Sequence, residues 1–152
     1  MWFAKTLGGA DTHCSISGVT DYKCKNDTEA IEIIREIINK TGEKYGEKFS
    51  RITSNPPKKD IKDIYGIIPR ERDSPYEMRE ILERIVDDSI FQEYKANYGK
   101  TLICAYARLD GWSVGIIANE RKMVKTGKGE MQLGGVIYSD AADKGTRFIM
   151  NC

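Results

Sequence analysis

Two glycine pairs, one histidine, one asparagine and three closely spaced lysines are the residues of this 152-residue chain whose types and placing can do chemistry. Gly8-Gly9 and Gly134-Gly135 each offer either backbone that a ligand can approach closely, since no Cβ intervenes, or an ordinary tight turn. His13 stands among small residues and serves either to orient a neighbouring loop or as a structural hydrogen-bonding group. Asn119 ends a segment that reads as a strand; such a position faces a pocket in many layered α/β folds, or simply begins a turn. Lys122, Lys125 and Lys128 form either an anion-contacting edge or a solvated face. The four cysteines, Cys14, Cys24, Cys104 and Cys152, include no Cys-x-x-Cys pair, and His13 is the only histidine. A zinc site needs closely spaced ligand pairs on two segments, so reduced, partly buried thiols and no metal are expected.

Composition narrows the partners. With 24 basic and 23 acidic residues the formal charge is +1, which provides no net field toward nucleic acid or an anionic membrane. The apolar runs fall far short of the roughly 20 residues that cross a bilayer, and Met1 to Thr6 lacks the layout of a secretory signal. A soluble, intracellular protein is expected. Its 17.2 kDa suits one ordinary domain or pieces of two.

The elements that position these residues follow from spacing. Leu7 to Asp21 is dense in small and turn-forming residues and reads as loop. Asn26 or Asp27 caps a helix in which Ile31, Ile34, Ile37 and Ile38 recur at spacings of three and four, with Gly42 placed to end it. A lysine-rich stretch from Glu43 leads to Ser54-Asn55-Pro56-Pro57, where two prolines exclude a helix interior and mark a linker. Tyr65 to Pro69 reads as extended. Ser74-Pro75-Tyr76-Glu77 carries the signature of a helix start, with Met78, Ile81, Leu82, Ile85 and Val86 as its apolar stripe. Thr101–Leu109 and Trp112–Asn119 flank Asp110-Gly111, a strong hairpin signal, and the first of these strands has so little polar alternation that both its faces are expected to be covered. Glu120 to Met131 reads as a surface excursion. Ser139 or Asp140 then caps a last helix, Ala141 to Asn151, whose Phe148, Ile149 and Met150 have no following element to cover them.

Six segments in order resemble the biotin-dependent acyl-CoA carboxyltransferases. They are Leu7-Gly8-Gly9-Ala10-Asp11-Thr12-His13, Ser17-Gly18-Val19-Thr20-Asp21, Ile85-Val86-Asp87-Asp88, Tyr98-Gly99-Lys100-Thr101-Leu102, Gly115-Ile116-Ile117-Ala118-Asn119, and Asp140-Ala141-Ala142-Asp143-Lys144 running to Arg147-Phe148-Ile149. The variant from Gly9 to Asp21 is more similar to the methylcrotonyl-CoA carboxylase type than to the propionyl-CoA type. The resemblance implies an α/β fold made of parts of two crotonase-like (ClpP/crotonase) ββα superhelix domains. Residues 1–54 would close the N-terminal, acyl-CoA domain and 55–152 would open the C-terminal, biotin-side domain, so the chain is expected to be an internal fragment.

The same resemblance implies the chemistry. A carboxyl group moves from the ureido nitrogen of biotin to a carbon made carbanionic by a thioester. Two oxyanions develop, each best stabilised by fixed backbone N–H groups in a dry pocket. Biotin, once relieved of its carboxyl group, acts as base, so no Ser-His-Asp centre is needed. By family comparison the two glycine pockets lie outside this chain, so no catalytic residue is expected in it and the fragment alone should be inactive. Gly8, Gly9, His13 and Asn119 are the candidates for lying beside the coenzyme A or biotin pocket. Biotin would ride on a partner protein and acyl-CoA would be the substrate. Expected partners are a biotin carboxylase, a biotin carboxyl carrier subunit and other carboxyltransferase subunits in a hexamer, with neither nucleic acid nor membrane. The expected location is the cytoplasm of a bacterium or the mitochondrial matrix for a eukaryotic full-length form. A non-catalytic remnant or interaction module of the family, or part of a biotin-dependent acyl-CoA decarboxylase, is the alternative.

Overall fold

A computed structural model describes residues 7–41, 51–72 and 74–152, so the helix stop expected at Gly42 and most of the lysine-rich stretch lie outside the described residues. The elements run α1 (Ala10–Ser15), α2 (Asp27–Thr41), a 3-10 turn (Ile61–Asp63) continuing into α3 (Ile64–Ile67), α4 (Met78–Leu82), a second 3-10 turn (Asp87–Ser89), β1 (Phe91–Tyr94), β2 (Leu102–Leu109), β3 (Trp112–Asn119), β4 (Val124–Lys125), β5 (Met131–Gln132) and α5 (Ser139–Asn151). The fold class is α/β, as expected.

The expected hairpin is the centre of an antiparallel sheet ordered β1-β2-β3. Its register pairs Leu109 with Trp112 and Leu102 with Asn119. Asp110 and Gly111 take φ of 51° and 78°, the two positive values that a two-residue type I′ connection demands. A side chain on Gly111 would also run into the Ile52 carbonyl, which is why an Asp-Gly pair is needed rather than any polar pair. Strand β2 is covered on both faces because successive side chains point to opposite sides. Leu102 and Cys104 join Tyr94, Ala141 and Phe148 in one buried cluster, while Ile103 and Ala105 join Leu82 in another.

Helix α2 begins as its sequence requires. The Asn26 side chain accepts the Glu29 amide at 2.9 Å, and Glu29 reaches back to the Lys25 amide at 2.6 Å. Its facing differs from the expected stripe: Ile31, Ile34 and Ile38 are 49%, 55% and 64% exposed, whereas Ile33 and Ile37 are the half-buried isoleucines of the helix, which packs on the sheet. Two segments expected to be irregular or extended are helical at least in part, namely α1 within the opening loop and α3, which overlaps the start of Tyr65 to Pro69. Both are short helices that close local backbone hydrogen bonds without an apolar stripe to announce them. Helix α4 is shorter than its stripe suggested. Beyond it the chain turns through Asp88 and Ser89 at positive φ, leaving Val86 fully buried and Ile85 39% exposed.

Helix α5 starts at Ser139, two residues before the expected Ala141; Tyr138 at its N-cap position makes no side-chain cap bond, and the Asp140 carboxylate accepts the Ala141 amide at 2.9 Å. Phe148 is covered after all, by the rings of Tyr94 and Tyr106 at centroid distances of 5.6 and 4.9 Å. Ile149 and Met150 remain 61% and 81% exposed. Lys144 is fully buried, donating to the Leu102 carbonyl at 2.8 Å and pairing with Glu93 at 3.4 Å. Arg79 holds the other oxygen of Glu93.

Segments on both sides of the expected division at residues 54 and 55 meet at the hairpin turn. Ile52 donates its amide to the Gly111 carbonyl at 3.1 Å, and Arg51 pairs with Asp110 at 2.8 Å. Arg108 donates to the same Gly111 carbonyl and to the Asn39 carbonyl at the end of α2. Asp87 accepts the amides of Asp110 and Gly111 at 2.9 and 2.7 Å. Among the described residues, no helix is long and apolar enough to cross a membrane.

Candidate functional site

Asn119 ends β3 beside a cleft of about 510 Å³ whose walls come from three segments: Ile68 to Arg72, Tyr76 with Met78, and Asn119 with Arg121. That volume lies within the range of small-molecule pockets, and the mixture of aliphatic and aromatic walls with a few polar groups is their usual chemistry. Asn119 is exposed, so its carboxamide is available to a ligand. Arg121 is held in place by donating to the Arg72 carbonyl at 3.1 Å. At the rim, Lys122 is paired with Glu77 at 2.6 Å and so is not a free cation for an anionic ligand.

The other three sequence candidates lie together in a separate place. Gly8 and Gly9 lead into α1, the Gly9 carbonyl accepts the His13 amide at 3.2 Å, and His13 Nδ1 is 3.3 Å from the Ser17 hydroxyl. Gly8 is beside the His13 ring. His13 therefore organises the turn into Ser17–Asp21, which is the structural role open to it from the sequence. That turn is anchored from afar by Lys95, 1% exposed, whose ammonium pairs with Asp21 at 2.6 Å and donates to the Gly18 and Thr20 carbonyls. Beyond His13, the end of α1 meets Tyr98, the β4–β5 tip and the start of α5 around a smaller pocket of about 240 Å³. Lys128 lines that pocket; none of its lining residues lines the Asn119 cleft. Gly134-Gly135 belongs to neither pocket, since Gly134 lies so close to the Arg121 backbone that a side chain would not fit.

Several groups at the sheet have shifted proton affinities, Lys144, Cys104, Tyr94 and Tyr106 among them. Burial pushes the Lys144 ammonium below its usual range, with Glu93 opposing the shift. Burial pushes the Cys104 thiol up to about 11, with the Lys144 charge pulling the other way. Such a thiol is inert near neutrality. Lys95 went unnoticed in the sequence because its partners are carbonyls some 75 residues away, and no local pattern reports such a contact.

The sequence matches the family described as the carboxyl transferase domain over residues 3–152. The chain belongs to that family. It is 37% identical to the mitochondrial methylcrotonoyl-CoA carboxylase beta chain of Dictyostelium discoideum, over 98% of this chain and 23% of that protein. It is 38% identical to the biotin-dependent 3-methylcrotonyl-coenzyme A carboxylase beta1 subunit of Mycobacterium tuberculosis, over 98% of this chain and 26% of that one. A crystal structure of transcarboxylase 12S, a hexamer with methylmalonyl-coenzyme A and methylmalonic acid bound, superposes with a TM-score of 0.81 at 29% identity, covering 97% of this chain and 27% of that chain. The fold of this carboxyl transferase chain is thus crotonase-like α/β, and the chain spans about a quarter of the length of the curated relatives it matches.

Proposed function

We propose that the chain is a portion of the carboxyltransferase of a biotin-dependent acyl-CoA carboxylase, passing a carboxyl group from carboxybiotin to an acyl-CoA such as 3-methylcrotonyl-CoA. The observation that carries this reading is similarity to methylcrotonyl-CoA carboxylase beta subunits along nearly the whole chain. Residues 1–54 belong, in this reading, to the acyl-CoA domain and 55–152 to the biotin-side domain, joined through the contacts at the hairpin turn. Biotin arrives on a carrier subunit charged by a biotin carboxylase, and further carboxyltransferase subunits complete a hexamer. The location is the cytoplasm of a bacterium or the mitochondrial matrix of a eukaryote.

The Asn119 cleft suits a small ring with an apolar body and a polar edge, as biotin has, with Tyr76 and Met78 against the body and the Asn119 carboxamide at the edge. Gly8, Gly9 and His13 shape the turn at the coenzyme A side. Biotin supplies the transferable carboxyl group and the base; these residues bind, orient and exclude water. NMR titration of the protein with d-biotin and with 3-methylcrotonyl-CoA tests the assignment. Biotin is expected to move the Asn119 and Arg121 resonances and the thioester those around His13, and Asn119→Ala should weaken the biotin response. Absence of both responses at millimolar ligand refutes it. Purified alone, the chain is expected to show no carboxylation of 3-methylcrotonyl-CoA, and measurable turnover would contradict the placing of the oxyanion pockets outside it.

A further inference from the structure

Glu120 follows Asn119 directly and is only 5% exposed. One carboxylate oxygen, Oε1, accepts the Arg121 amide at 2.9 Å, the Met78 amide at 3.2 Å and, at the limit of hydrogen bonding, the Lys122 amide at 3.5 Å. The backbone of the same residue donates to the Thr101 carbonyl at 2.9 Å and accepts the Gly135 amide at 2.7 Å. A single residue thus joins the entry to β2, the first turn of α4, the segment leaving β3 and the loop that returns toward α5.

Helix α4 has no side-chain cap of its own. An amide at a helix start needs an acceptor, and here the acceptor comes from 42 residues away. Met78 and Arg121, whose amides Glu120 holds, both line the cleft, and Asn119 is the preceding residue. Tyr76 with Met78 and Asn119 with Arg121 come from two separate segments, so their relative placing depends on a common anchor. A buried carboxylate that collects amides from each of those segments keeps them in one arrangement before any ligand arrives.

We propose that Glu120 is the positioning residue of the Asn119 cleft, setting the Tyr76–Met78 wall against the Asn119 carboxamide by gathering the amides of Met78 and Arg121. The importance of the cleft rests on the carboxyltransferase reading above; the role of Glu120 within the cleft does not. Because one oxygen takes all the amides, glutamine retains the acceptor while alanine removes it.

Isotope-labelled Glu120→Gln, Glu120→Ala and, as a control, Val86→Ala separate positioning from general stability, since Val86 is fully buried and lines no part of the cleft. Amide exchange at Met78 and Arg121 is expected to quicken about tenfold in Glu120→Ala beyond the change in the control, with the Asn119 side-chain resonance displaced. Glu120→Gln is expected to restore both. Glu120→Asp, one methylene shorter, provides the same comparison should the alanine variant not fold. Equal exchange in Glu120→Ala and the control, or a glutamine variant that behaves like alanine, overturns the proposal. Titration of the same samples with d-biotin tests the carboxyltransferase reading separately: a wild-type protein that ignores biotin defeats that reading, while the exchange data still decide the role of Glu120.

Discussion

Replacing Asp87 by alanine is expected to lower folding stability by about 3 kcal/mol, because one buried carboxylate closes the central hairpin. Asp87 is 6% exposed, and its two oxygens take the Asp110 and Gly111 amides at 2.9 and 2.7 Å. Hydrogen bonds to a charged group contribute roughly 1.5–3 kcal/mol each. The lower end is appropriate here, since Asp110 itself is exposed and its amide can recruit water. Asp87→Asn retains one acceptor but turns an NH2 toward the second amide, so about half the loss is expected. Urea unfolding followed by tryptophan fluorescence is suitable because Trp112 adjoins the turn, and the midpoint should fall with an unchanged slope. The turn also receives Ile52 and Arg51, so proteolysis between residues 51 and 60 should quicken in parallel. A loss under about 1 kcal/mol for the alanine variant, or an asparagine variant as damaged as alanine, would show that the clamp contributes little.

The remaining expectations follow from other contacts. The ordinary Cys104 thiol value is 9.0 and burial raises it to about 11; the unfolded chain therefore loses its proton first, so this contribution is intact below pH 9 and fades as pH climbs to 11. It amounts to about 3 kcal/mol at most, and Cys104→Ala should flatten the wild-type decline in alkaline urea melts even though buried tyrosines contribute in the same direction. Gly111→Ala combines a φ of 78° with collision against the Ile52 carbonyl and is expected to cost more than about 2 kcal/mol in thermal melts. Lys144→Met leaves Glu93 with Arg79 alone; a loss of about 1–3 kcal/mol is expected, partly recovered in the Lys144→Met, Glu93→Gln double variant, and strict additivity of the two would deny the coupling. Ile34→Lys, on the exposed side of α2, should change stability by less than about 0.5 kcal/mol, which unfolding curves can check.

Much was legible because its cause is local. An asparagine three residues before a glutamate starts α2 by bonding amides within one turn, and Asp110-Gly111 makes a hairpin because those two residues tolerate positive φ. The ordered motifs also pointed to the family, and thence to the fold, before any geometry was known. The candidate site was only partly readable: Gly8, Gly9 and His13 proved to be one local cluster, whereas Asn119 faces a cleft whose other walls come from residues 68 to 78.

Local pattern could not say which isoleucines of α2 face the sheet, since five of them wrap more than one face and only the position of β2 selects among them. Nor could it say that Lys95 and Lys144 are buried, or that Glu120 caps a helix 42 residues earlier. Charged side chains become interior only where distant carbonyls and amides gather to satisfy them. The amino-acid order thus settles turns, caps and family, where the deciding forces act within a few residues; the placing of the pockets and their anchors is a property of the assembled chain, because it depends on hydrogen bonds that exist only after remote segments have met.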